Sequence, residues 1–273
     1  MYLYFTSMKI KTAIITLNPG FEKVHELSRL LADQDLRYEV VLAADGREEF
    51  PLLEEGEHLD QSKSLKMRLV ELTKSEVGCY LSHFRTIKKA YNAGLKRICI
   101  IEDDVLIEPD FSEVLDSLEA LPEEFEHIRL MGLKRHRRKI ICQLDKRHQL
   151  TRPVKGLCGT QGYVLNRSGM EKVLQQGCVI SEPIDKFYDH FWDIDLKSYC
   201  VEPHIIWERP IVESSIVKKS RDNAVNSSSK LLRKYAVKLR QSFKRRVHIL
   251  KHWNDFLPAE KSAIPMGKTA RIR

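Results

Sequence analysis

Three consecutive acids, Glu102, Asp103 and Asp104, follow directly on the apolar run Arg97-Ile98-Cys99-Ile100-Ile101. That run has the pattern of a strand covered on both faces. Three adjacent carboxylates repel one another unless a cation neutralises them. Hard divalent ions such as Mn²⁺ and Mg²⁺ take carboxylate oxygens and also bridge to a diphosphate. Asp104 is therefore expected as the principal metal ligand, with Glu102 or Asp103 assisting. Ligands of open α/β sheets bind beyond the carboxyl ends of the strands, which is where this cluster falls. A solvated acidic turn would explain the triplet without chemistry, but the fully apolar strand before it favours the ion.

Gly78, Ser82 and His83 lie in the helical pattern just upstream. Glycine inside a helix costs about 1 kcal/mol relative to alanine, so Gly78 suggests that something approaches closely there. On a helical wheel Ser82 falls opposite the apolar arc and His83 at its margin. The three are candidate ligand contacts; a surface serine and a partly packed histidine are the alternative. Asp185 follows Pro183 at a helix start and is the candidate general base for an attacking hydroxyl. Its competing reading is a helix N-terminal acid favoured by capping and the helix dipole. Asp189, Asp193 and Asp195 are neighbouring alternatives, and Asp193-Ile194-Asp195 reads as structural.

The elements that must position these groups alternate. Residues 9–17 read as a buried strand and residues 21–34 as an amphipathic helix with Phe21, Val24, Leu27 and Leu31 on one face. Residues 37–43 form a second strand, followed by Ala44-Asp45-Gly46. Residues 50–72 read as a loop with a short helix. Thr73 and Glu76 form a capping box for a helix burying Val77, Leu81, Phe84, Ile87 and Tyr91, which Asn92-Ala93-Gly94 ends. Further helices are expected over 111–121, 168–176 and from Pro183 through Phe191-Trp192. Strands are expected over 126–133, 159–165 and 198–201. Residues 134–155 read as a basic, loop-rich insertion. The order predicts a doubly wound α/β fold with a mostly parallel sheet.

The 273 residues and the formal charge of +8 conceal an asymmetry. Residues 218–273 carry 16 Lys/Arg against 3 Asp/Glu, and the rest of the chain 30 against 35. A basic block of this kind seeks an acidic partner. Residues 230–253 place Leu232, Tyr235, Leu239, Phe243, Val247, Leu250 and Trp253 on one stripe, with nine Lys/Arg and no acid. The pattern predicts a cationic amphipathic helix on the anionic inner face of the cytoplasmic membrane, joined by a polar linker over Ser220–Ser229. The competing reading has the stripe packing back on the folded part. Nucleic acid is not an expected partner: the cations are segregated from the core and lack interleaved aromatic platforms. The domains are taken as 1–217 and 218–273. The six widely spread cysteines read as reduced, buried thiols of a cytoplasmic protein. No run approaches the ~18 apolar residues of a membrane span. Met1-Tyr2-Leu3-Tyr4-Phe5 reads as an upstream extension, with Met8 as the natural start.

Four blocks together resemble glycosyltransferase family 25, the bacterial enzymes of lipooligosaccharide and lipopolysaccharide core synthesis typified by β-galactosyltransferases. They are Ser75-Glu76-Val77-Gly78-Cys79-Tyr80-Leu81-Ser82-His83, Ile100-Ile101-Glu102-Asp103-Asp104-Val105, Gly159-Thr160-Gln161-Gly162-Tyr163-Val164-Leu165 and Pro183-Ile184-Asp185. Ala44-Asp45-Gly46 also fits, and the likeness covers roughly residues 9–217. It implies a GT-A-like fold, a UDP-sugar donor (most often UDP-galactose), a divalent metal, inversion at the anomeric carbon, a lipid-linked oligosaccharide acceptor and a basic C-terminal tail. Thr16, Asp45, Gly46 and Asp103 join Gly78, Ser82 and His83 as the expected donor-binding set. UDP-GlcNAc and UDP-glucose are the alternative donors. The chain departs from the family at Leu17-Asn18-Pro19-Gly20, where an Arg-rich run is common.

Overall fold

The continuous apolar runs of the sequence become the inner strands of one sheet with helices on both faces. The structure, a computed structural model, describes residues 9–209 and 228–261. The expected upstream extension lies outside them, as does the expected linker up to residue 227; Ser228 and Ser229 already belong to a helix.

The chain opens with β1 (Lys11–Thr16), α1 (Glu22–Asp33) and β2 (Tyr38–Leu42), and β2 pairs parallel with β1. Phe21 precedes α1 and is exposed, while Val24, Leu27 and Leu31 are buried. A short β3 (His58–Leu59) leads into α2 (Gln61–Arg68), followed by α3 (Lys74–Asn92). Both reciprocal bonds of the Thr73/Glu76 capping box are made at the start of α3. Next come β4 (Arg97–Glu102), β5 (Val105–Ile107) and α4 (Phe111–Glu119), whose Phe111, Val114, Leu115 and Leu118 are fully buried. Each such side chain contributes about 1.5–3 kcal/mol by leaving water.

The second half holds β6 (His127–Arg129), β7 (Arg138–Gln143), β8 (Gln149–Pro153) and β9 (Gly162–Asn166). Then follow α5 (Arg167–Gly177), β10 (Val179–Ile180), α6 (Ile184–Asp189), β11 (Ser198–Glu202) and β12 (Ile206–Glu208). The eight-stranded sheet has the order β2-β1-β4-β9-β6-β11-β8-β7. Six strands run one way, and β9 and β8 oppose their neighbours. Helices α1 and α4 cover one face; α3, α5 and α6 cover the other.

Two expectations are corrected here. The basic stretch 134–155 contains the antiparallel hairpin β7–β8. Its Arg138 and Arg152 are buried against Glu202, Glu260 and Asp255, so the charges that suggested a loop are neutralised inside the fold. Helix α6 stops at Asp189, and Phe191-Trp192 lies in the turns after it. The six thiols are free, but only Cys99, Cys158 and Cys200 are buried; Cys79 is exposed.

Beyond residue 227, α7 (Ser228–Lys251) and α8 (Trp253–Phe256) return to the sheet. Phe256 is fully buried beneath the Arg152 guanidinium, 4.3 Å from its ring centroid. Arg138 and Glu260 then form a backbone bridge. Helix α7 turns its more polar face inward: Gln241 accepts from Trp192 at 3.3 Å, and Lys244 pairs with Asp193 at 2.7 Å. Leu232, Tyr235, Leu239, Phe243 and Leu250 face solvent, each more than half exposed. Among the described residues no helix is long and apolar enough to cross a membrane.

Candidate active site

The parallel strands β1, β2 and β4 deliver their carboxyl ends to one edge of the sheet. Thr16, the loop Ala44–Gly46 and the acids Glu102–Asp104 meet there, as expected at this edge of an α/β sheet. Strand β9 runs the other way, so the residues entering it, Thr160 and Gln161, reach the same edge, where Glu102 N donates to Gln161 O.

The three acids are not equivalent. Asp103 is held by the Thr16 hydroxyl at 2.5 Å and by the Lys23 ammonium at 2.6 Å. Glu102 Oε1 accepts from the Thr160 hydroxyl at 2.7 Å and faces His83 Nε2 at 3.4 Å. Asp104 has no side-chain partner among the described residues. Burial opposes the charge of Glu102, but the His83 contact, the Thr160 hydroxyl and Lys23 bring its carboxyl below the usual range. For Asp104 the same desolvation, reinforced by Glu102 and Asp103, pushes the carboxyl up to about 6, although the residue remains open to solvent. An anion destabilised by its neighbours and lacking a partner is a group that a cation would relieve. Asp104 and the second oxygen of Glu102 are the hard donors that Mn²⁺ or Mg²⁺ takes, so the residues present fit such an ion.

His83 is buried and links the acids to the core. Its Nδ1 lies 2.9 Å from the Tyr163 hydroxyl, which accepts from the Tyr188 hydroxyl at 3.3 Å. With Tyr163 donating to Nδ1, His83 carries its proton on Nε2, toward Glu102. Burial raises both tyrosines well above their ordinary range, so they stay protonated donors.

Gly78 and Ser82 serve the scaffold. A Cβ at Gly78 would lie 2.7 Å from Ala44 O and 2.9 Å from Gly46 N, so α3 presses against the 44–46 loop. The close approach inferred from Gly78 is that of backbone. Ser82 is buried; its hydroxyl accepts from Ala44 N at 2.9 Å and donates to Gly78 O at 2.7 Å. Gly46 is equally tight, its notional Cβ lying 2.1 Å from Lys74 O. Asp45 points outward to Arg47, whose hydrogen bonds hold its carboxyl down at about 2.

Asp185 stands in the first turn of α6, half-buried, with Lys186 Nζ 3.3 Å from its carboxylate. Its field reaches the Cys79 thiol, which lies within 4.8 Å of His83 and Glu102: the thiol is raised first by desolvation, although the residue as a whole is exposed, and then by Glu102, Asp185 and Asp104. Asp189 is instead locked inside, accepting from Arg129 at 3.1 Å and Lys186 at 2.9 Å. Lys23, Thr160, Tyr163 and Cys79 are site residues that the sequence reading did not single out. The last three sat inside quoted blocks, whereas nothing in the helical pattern of residues 21–34 distinguished Lys23. A cavity of about 420 Å³ lies apart from the acids, between α2, α6 and α7, with Lys63, Lys66, Arg240 and Lys244 on its walls.

A family model for "Glycosyltransferase family 25 (LPS biosynthesis protein)" matches residues 9–188. Procollagen galactosyltransferase 2 of Homo sapiens is 23% identical over 228 residues, 71% of this chain and 34% of its own length. The chain thus spans about a third of that relative. Lipooligosaccharide biosynthesis protein lic2B of Haemophilus influenzae is 23% identical over 195 residues, 68% of each chain. Inactive glycosyltransferase 25 family member 3 of Homo sapiens is 32% identical over 161 residues, 48% of this chain and 25% of its own length. Among solved structures, a glycosyltransferase involved in the glycosylation of the major capsid of PBCV-1 aligns with a TM-score of 0.30 and 9% identity, covering 68% of this chain and 69% of that one. With the family model matching well over half of its residues, across the acidic edge and into α6, the chain belongs to glycosyltransferase family 25.

Proposed function

We propose that this chain is an inverting hexosyltransferase of GT-A type. In this reading it moves galactose from UDP-galactose to a hydroxyl of a lipooligosaccharide or lipopolysaccharide core acceptor. The observation that carries the reading is Asp104, without a side-chain partner among the described residues, beside Glu102 and Asp103 at the carboxyl end of β4. Asp104 and Glu102 would hold a divalent cation, which would supply charge neutralisation for a departing diphosphate. The chain's own residues do the rest. Thr16 and Lys23 fix Asp103, Thr160 and His83 orient Glu102, and the buried tyrosines orient His83. Asp185 accepts the acceptor proton as the hydroxyl oxygen bonds to the anomeric carbon and the bond from that carbon to the UDP oxygen breaks. Support for a galactosyl donor comes from the names of the relatives, and support for a core-saccharide acceptor from the Haemophilus influenzae protein.

The solvent-facing stripe of α7, flanked by Arg233, Lys238, Arg246 and Lys251, fits an anionic membrane surface. An enzyme working on a lipid-linked acceptor at the inner face of the cytoplasmic membrane gains from that contact.

The test is UDP release from UDP-galactose, UDP-glucose and UDP-GlcNAc, with a core oligosaccharide acceptor and Mn²⁺. Release should be fastest with UDP-galactose, and both Asp104→Asn and excess chelator should abolish it without changing the circular dichroism spectrum. Full activity in chelator would sink the metal assignment. No turnover with any donor, in a chain that still binds UDP, would place it with the inactive family member.

A further inference from the structure

Three side chains outside the cleft converge where α7 crosses the loop between α6 and β11. His248 lies in the last turn of α7 and His252 just past its end, where His252 N still donates to His248 O at 3.0 Å, and their ring centroids are 4.6 Å apart. Asp195 comes from the loop, and one ligating atom from each residue lies within 4.8 Å of the others. These groups are poorly used otherwise. His248 Nε2 is buried without a hydrogen-bond partner among the described residues. Among the described residues the Asp195 carboxylate has only Lys172 Nζ, 3.9 Å away. Phe191 and Phe256 pack edge-on against the His248 ring at 5.6 and 5.9 Å and hold its orientation.

Two histidines at i and i+4 on one helix face form a chelating pair, the device of helical zinc motifs. Two imidazoles and a carboxylate suit a zinc-class ion, whereas Mg²⁺ and Ca²⁺ prefer oxygen alone. An ion about 2.0–2.2 Å from each donor holds its ligands ~3.3 Å apart, so side-chain rotations of about 1 Å complete the set. We infer that Asp195, His248 and His252 form a zinc-class metal site that fastens α7 to the catalytic domain. Water takes the fourth position. The site differs in donors and place from the carboxylate cluster of the cleft. His248 from the last turn of α7 and His252 just after it meet Asp195 of the loop, so the bound ion holds this end of the helix with its apolar stripe outward.

The experiment is a titration of the full-length chain with Co²⁺, a zinc surrogate with visible absorption, followed by displacement with Zn²⁺. We expect a visible band saturating at one equivalent, displaced by zinc and lost in both His252→Ala and His248→Ala. No intense near-ultraviolet thiolate band should accompany it. Hydrogen exchange of α7 amides should slow with Zn²⁺ in the unaltered chain and not in His252→Ala. His252 is only half-buried, and His252→Gln repeats the test if the alanine variant loses its fold. A chain without a saturable band, a band that survives His252→Ala, or zinc without effect on α7 exchange would each overturn the proposal.

Discussion

At the residue scale, one chemical type is put to different uses. Asp104 is left without a side-chain partner among the described residues, Asp103 is tied down by Thr16 and Lys23, and Asp189 is a buried counter-ion of Arg129 and Lys186. Asp185 lies between these extremes, its field reaching the Cys79 thiol while Lys186 stands beside it. The proposed base can therefore be separated from a structural acid by substitution. Asp185→Asn should slow the chemical step by about 10²–10⁴-fold, the usual worth of a general base, with UDP binding and melting temperature unchanged. Asp189→Asn is the contrast: breaking a buried pair costs about 3–5 kcal/mol and should appear as a lower melting temperature. Single-turnover rates with UDP titrations decide the matter; weaker UDP binding with an unchanged chemical step would refute the role of Asp185.

At the scale of elements, the site rests on how closely α3 approaches the loop after β2. Gly78→Ala would set a methyl group 2.7 Å from a backbone oxygen that cannot swing aside. Overpacking of this kind costs about 1–3 kcal/mol, so the variant should melt earlier and lose the Ser82–Ala44 hydrogen bond. Unchanged melting would show that the loop yields. The sequence displayed most of these elements plainly. Period and capping located β1, α1, β2, α3 and β4, and the acids stood visibly at the end of an apolar strand. It concealed what depends on partners distant along the chain. Arg138 and Arg152 looked like loop cations because their partners Glu202, Glu260 and Asp255 lie 64 or more residues away. Ser82 and His83 looked like surface or marginal groups because the backbone of residue 44 and the Tyr163 hydroxyl cannot be seen from a helical wheel. The reversed direction of β9 was equally hidden, since apolar runs carry no sign of polarity.

At the scale of the whole molecule, stability and surface behaviour are both open to measurement. Burial holds His204 down to about 4, and buried His127 is lowered in the same direction by burial and Arg129. A folded-state value below the unfolded ~6.5 means that the neutral form is favoured by folding. That stability is complete above pH 6.5 and is lost as pH falls toward 4, by about 3 kcal/mol for His204. The melting temperature should therefore fall between pH 7 and 5, and less steeply in His204→Gln; a flat profile would contradict the burial of these rings. The outward stripe makes a separate claim. Replacing Leu239, Phe243 and Leu250 by serine should abolish sedimentation with anionic vesicles at low salt and leave melting unchanged. Each nearby cation adds about 1 kcal/mol to that attraction, so added salt should weaken it in the unaltered chain. If the unaltered chain ignores vesicles, the membrane reading fails. Ending the chain at residue 217 would be a poor substitute for these substitutions, because it also removes buried Phe256.

The return of the chain to β7 after α7 also governs the order of assembly on the ribosome. Phe256 closes the underside of Arg152, and Glu260 bridges Arg138, yet both are made more than a hundred residues after the hairpin they complete. Until they emerge from the exit tunnel, the nascent hairpin lacks a backbone partner at Arg138 and a counter-ion, Asp255, for Arg152. This strand-edge contact thus waits until residue 260 has emerged, and a ribosome stalled within α7 should display a β7–β8 edge open to protease.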